Sequence, residues 1–229
     1  MTLCNRLKRC AVVVAIGIVS NPWLVGEVVF DNSIHDLLYR FNPGLLEVGD
    51  EITLGGTART INNFTFEYWG ENTARPDFAG YVQGRVRFYE NDGAPAPSGY
   101  LAPGTVLFDS DWFSIGPTPR ATLVFDDFVT GTLVPLTNSV PDSFTWTIQF
   151  NGLGPDDLAG VDIYSPPTVG TSYPDYWQFA PGSGWLLLTN AVPMDFAARF
   201  EAVPEPSTAV MSILGLTVLA CGRRWFTRG

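Results

Sequence analysis

The chain has 229 residues, 46% of them hydrophobic and only 16% charged, with 23 Gly, 18 Pro and 14% aromatics. This composition suits short strands joined by tight turns and excludes a protein built of long helices. Residues 27–202 carry seven Arg and no Lys against 22 Asp and Glu, a net charge of −15, so a phosphate backbone would be repelled and nucleic acid is excluded as a partner.

In chain order, the first element is an export signal. Arg6, Lys8 and Arg9 precede the apolar stretch CAVVVAIGIVS at 10–20. As a helix those residues rise about 16 Å, roughly half the hydrocarbon core of a bilayer, which fits a Sec-type signal peptide better than a membrane span. Cleavage fits after Ser20 or after Gly26, and the segment is taken as 1–26. Leu7, Lys8 and Arg9 stand before Cys10 where a lipoprotein signal needs small apolar residues.

Residues 27–202 read as one domain of many short strands. The clearest is Phe144-Thr145-Trp146-Thr147-Ile148-Gln149-Phe150, in which every second residue is large and apolar. Val82, Gly84, Val86 and Phe88 share one face in the same way. Further strands are predicted at 51–54, 58–61, 64–69, 106–109, 122–128, 132–135, 160–164, 176–179, 184–188 and 196–200. Turn signals separate them, among them Asn42-Pro43-Gly44, Asn91-Asp92-Gly93 and Asn151-Gly152. Pro95, Pro97 and Pro103 make 92–103 one extended loop. The expected fold is all-β, an antiparallel β-sandwich of jelly-roll type, flanked by an N-terminal signal helix and a C-terminal hydrophobic helix. Phe144, Trp146, Ile148, Phe88 and Val86 are its expected core.

The last segment, 203–229, holds Pro204-Glu205-Pro206, an apolar run at 209–221, and a basic end with Arg223, Arg224 and Arg228. The prolines hold the backbone extended and keep it out of any helix. The run of 13 residues would span about 20 Å, short for a permanent anchor. The arginines would stay on the cytoplasmic side. The triplet, the run and the Arg pair in this order resemble the PEP-CTERM sorting signal of Gram-negative bacteria. The resemblance implies transient retention at the inner membrane after passage through the Sec translocon. An exosortase-type enzyme then acts near Pro204-Glu205-Pro206 and passes the protein to the cell surface or extracellular matrix. The strand Gly49-Asp50-Glu51-Ile52-Thr53-Leu54, the stretch 59–69 and Arg87-Phe88-Tyr89 before a Pro-rich loop also resemble β-sandwich domains of other PEP-CTERM proteins.

The inventory for chemistry is thin. His35 is the only histidine, and it reads as a surface or capping residue; Cys4, Cys10 and Cys221 all fall in the end segments, so the domain has no thiol or zinc site. No nucleophile elbow, P-loop or dinucleotide fingerprint is present. The chain is therefore expected to be no enzyme. The leading expectation is a structural or adhesive protein associated with extracellular polysaccharide. Tyr173, Asp175, Tyr176 and Trp177 form an aromatic cluster suited to stacking on a sugar, the basis of a carbohydrate-binding alternative. Asp109 and Asp111 stand on one side of an extended segment and are the candidate ligands for structural calcium, with no other cofactor expected. A glycan-active hydrolase, the remaining alternative, would need two carboxylates facing each other about 5–10 Å apart.

Overall fold

The computed structural model describes residues 26–204. Its strands are β1 (Glu27–Asn32), β2 (Asp36–Phe41), β3 (Glu47–Thr53), β4 (Thr60–Asn72), β5 (Gln83–Glu90), β6 (Val106–Asp109), β7 (Phe113–Ser114), β8 (Thr118–Phe125), β9 (Ser143–Asn151), β10 (Asp157–Tyr164), β11 (Thr171–Ser172), β12 (Asp175–Ala180), β13 (Gly184–Thr189) and β14 (Ala198–Val203). There is no helix among the described residues. The expected signal helix and hydrophobic helix, with Glu205, Pro206, Arg223 and Arg224, lie outside them, and Pro204 is the last residue within.

All pairings between strands are antiparallel, and they make two sheets. The first is organised by β4, whose 13 residues give room for two neighbours on one edge. Residues 60–66 pair with β14, which in turn pairs with β1; residues 68–72 pair with β10, which in turn pairs with β2. On its other edge β4 pairs with β8. The second sheet runs β13-β12-β3-β9-β5-β6, with β11 also on β3 and β7 also on β5.

Alternation decides which side chains meet between the sheets. On β9, Phe144, Trp146, Ile148 and Phe150 are buried, and Val86 and Phe88 of β5 lie beside them, as the period of two requires. Phe64 and Phe66 of β4 close the core from the other sheet. The Phe64 ring stands 4.4 Å from Phe200, 5.2 Å from Trp146 and 5.3 Å from Phe88, between centroids. These edge-on and tilted contacts suit the ring quadrupole as well as burying area.

The stretches 58–61 and 64–69 are one strand rather than two. Ile61 and Phe64, three residues apart, both face the core, because a register shift at Asn62 inserts one extra residue and restores the phase. β1 and β2 are strands that the sequence pattern did not single out. On β2 the side chains of Leu37 and Leu38 are exposed and Leu38 has φ of 56°, so no clean alternation survives. Residues 132–135 form no strand; Val134 makes only an isolated bridge to Asp109. Because Glu27 pairs with Ala202 and Thr60 with Val203, both described ends of the chain leave the domain at one corner.

On β3 an inward position breaks the apolar rule. Asp50 sits between Val48 and Ile52, fully buried, accepting from the Ser172 hydroxyl at 2.6 Å and the Phe196 N–H at 2.9 Å. Burial first, and the Asp195 carboxyl next, push its carboxyl well above the ordinary range. A raised folded-state value means that the native state holds the proton more tightly than the unfolded chain does. The stability contributed is complete below the unfolded value of about 3.8 and is lost as pH rises toward the folded one. Asp50→Asn removes this titration, so its stability relative to the parent should improve from pH 4 to pH 7 (about one unfolded-state value to neutrality). Thermal melts at both pH values check this, and an unchanged or falling difference contradicts it.

Candidate functional site

The outer face of the second sheet carries a network of ion pairs and hydroxyl hydrogen bonds. Glu47 of β3 accepts from the Arg87 guanidinium, from the Tyr89 hydroxyl at 3.0 Å and from the Thr147 hydroxyl at 2.6 Å. Asp109 of β6 takes Arg85 through both oxygens and Arg87 through one, at 3.1 Å. The Arg85 guanidinium also lies 5.5 Å from the Trp112 ring centre. Thr145 and Thr147 are wholly buried within this layer although the strand turns them away from the core. Burial raises the Asp109 carboxyl, but Arg85, the Asp111 N–H and Arg87 outweigh it and hold it below its ordinary value, and burial with the adjacent Glu47 pushes the Tyr89 hydroxyl well up.

At one end of this face, where the last residues of β3 lie beside the first of β9, a groove of about 450 Å³ opens. Its floor is Glu51, Asn91 and Ser143, and its walls include Glu90, Asp92, Tyr100, Leu101 and Pro141. The wall is a loop that sequence pattern left extended. It folds back on itself through Gly93 N–H to Ala102 O and Ala96 N–H to Tyr100 O, each 2.8 Å, with an isolated bridge between Pro95 and Leu101. Asp92 fastens the base by accepting from the Thr105 N–H and hydroxyl, both at 2.7 Å, and those bonds hold its carboxyl below the ordinary value. Thus tied, the loop sets the Tyr100 ring 5.6 Å from that of Tyr173 at 55°. Tyr100 is 44% exposed and Tyr173 38%, so each ring keeps free area at the rim.

Glu51 accepts from the Asn91 amide at 3.0 Å. Burial raises its carboxyl; the nearby indole N–H of Trp177, itself without an acceptor at hydrogen-bond distance, and the Ser143 hydroxyl oppose that rise.

The aromatic cluster expected from the sequence does not form one surface. Tyr173 is exposed beside Tyr100, and Asp175 is half-buried, its carboxyl raised by burial. Tyr176 turns inward, 9% exposed, with its ring 5.1 Å from Phe41. Trp177 turns outward but is 0% exposed, lying across from Gly49, where a Cβ would come within 2.7 Å of the Thr147 methyl. Only a residue without a side chain leaves space there. Both Asp109 oxygens accept from guanidinium groups, and Asp109 Oδ1 also accepts from the Asp111 N–H at 3.2 Å. Among the described residues no group of three or more His, Cys, Asp and Glu is arranged to hold a metal ion. His35 lies at the surface with Nδ1 2.9 Å from the Pro166 carbonyl. Tyr100, Glu51, Glu90 and Asn91 were missed by sequence reasoning; the one available signal was an aromatic residue inside a Pro- and Gly-rich loop.

No family model matches the chain, and no curated protein and no solved structure matches it.

Proposed function

We propose that the chain is an exported, non-enzymatic protein of the bacterial cell surface or extracellular matrix, released through PEP-CTERM-type processing and associated with extracellular polysaccharide. In this reading residues 1–26 are the signal peptide, 27–202 the folded domain, and 203–229 a sorting tail with Pro204, Glu205, Pro206, Arg223 and Arg224 as its motif. The observation that carries it is the ordered triplet, apolar run and arginine pair, joined to one fact of topology. The Glu27–Ala202 pairing supports a geometry in which both targeting segments approach the same membrane from one corner of the domain. The strand orders β2-β10-β4-β8 and β3-β9-β5-β6 support the jelly-roll reading, because they are those of an eight-stranded sandwich wound from two Greek keys.

Replacing Pro204, Glu205 and Pro206 together with alanine tests the sorting motif. The parent is expected outside the cell without its tail, and the variant at the inner membrane with the tail attached. Equal release of both, detected by blotting membrane and extracellular fractions, contradicts the proposal. The carbohydrate-binding reading is favoured separately by the exposed Tyr100–Tyr173 pair over a polar groove.

A further inference from the structure

The arginines of the domain are already spent. Arg40, Arg59, Arg85, Arg87, Arg120 and Arg199 pair with Asp162, Asp142, Asp109, Glu47, Asp36 and Glu201 among others, and none of these ion pairs reaches the groove. Arg75, the one remaining arginine of the domain, points to the Asp77 and Phe78 carbonyls. The groove therefore gathers Glu51, Glu90 and Asp92 with no basic side chain among its lining residues. A carboxylate-lined concavity without its own counter-charge attracts a cation and repels an anion, an effect that salt weakens.

Charge alone would suit any cation. The aromatic rim narrows the class, since Tyr100 and Tyr173 present half-exposed rings at 55° to one another, an arrangement that accepts the apolar face of a pyranose. The Asn91 amide and the Ser143 hydroxyl, held against Glu51, leave oxygen lone pairs in the groove that can accept from sugar hydroxyls. The loop is tied at its base through Asp92 and Gly104 N–H to Glu90 O at 2.9 Å, so the rim is formed before any ligand arrives.

We propose that the groove between the 92–104 loop and the adjoining ends of β3 and β9 binds a polysaccharide carrying free amino groups, with sugar rings stacked on Tyr100 and Tyr173 and ammonium groups facing Glu51 and Asp92. This rests on the polysaccharide association proposed above and names its ligand class. It requires no tail cleavage, so its failure leaves the sorting route standing.

The test is titration of the full-length chain in detergent with a glucosamine hexamer, an N-acetylglucosamine hexamer and oligolysine, by calorimetry at about pH 6. The glucosamine hexamer is expected to bind at least about tenfold more tightly than its acetylated counterpart. Tyr100→Ala, at an exposed loop position, should cost about tenfold, and the Glu51→Gln, Asp92→Asn pair should abolish the preference for the free amine. The proposal is overturned if neither sugar binds, if both bind equally, or if Tyr100→Ala leaves the glucosamine affinity unchanged. Oligolysine binding as tightly as the hexamer, whatever stands at position 100, would also overturn it by showing attraction through charge alone.

Discussion

Asp157→Ala is expected to lower the unfolding free energy by about 3 kcal/mol at neutral pH. The Asp157 carboxylate accepts four donors: the Asn72 amide, the Ala79 N–H and the Gly80 N–H, each at 2.7 Å, and the Gly154 N–H at 2.8 Å. It thereby fastens the loop after β4 and the turn after β9 to the start of β10. Each donor stranded by alanine costs about 1–3 kcal/mol when buried, and the position at the rim lets water recover part of that. Burial raises the carboxyl, but the backbone N–H groups and Asn72 outweigh it and hold it far below the ordinary 3.8. For a depressed acid the stabilisation is full above the unfolded value and disappears as pH falls through the folded one. The gap between parent and variant should accordingly be constant from neutrality to about pH 4 and shrink below it. Denaturant unfolding across that range measures both features, and a variant as stable as the parent at neutral pH contradicts the assignment.

The second large effect concerns the ion network on the outer face. Arg87→Ala should destabilise by about 3–5 kcal/mol, because it leaves Glu47 buried without its cation and deprives Asp109 of one of two. The arginine is 13% exposed and Glu47 6%, measured on the side chains, so solvent does little to replace the lost partner. Glu47→Gln alone should cost less, since glutamine still accepts from Tyr89 or Thr147. Combining Arg87→Ala with Glu47→Gln should cost clearly less than the two single changes added together, as removing both charges leaves no buried carboxylate without its cation. Additive losses in urea denaturation would show that the pair is not coupled.

Both cases show what the residue pattern could and could not announce. β9 and β5 were legible, because their large apolar residues recur at every second position and one buried face follows. The same rule applied to Tyr176 and Trp177 already forbids both from facing one ligand, since neighbours on a strand point to opposite sides. That Trp177 is also covered could not be read, because it depends on Gly49 of a strand more than 120 positions earlier. Asp109 meets Arg85 and Arg87 only through the pairing of β6 with β5, which no local spacing records. Tyr100 was hidden for a similar reason. Its meeting with Tyr173 requires the loop to close on itself, and no local periodicity records that closure. The bulge at Asn62 split one long strand into two apparent ones by shifting the phase.

The central claim is that this domain leaves the cell and sheds both of its ends. Intact-mass measurement of the extracellular protein tests it directly. The account predicts a species that begins between Asn21 and Glu27 and stops near Pro204-Glu205-Pro206, without the 209–229 tail. A species found only in the cytoplasm, with Met1 and Gly229 both present, would contradict it.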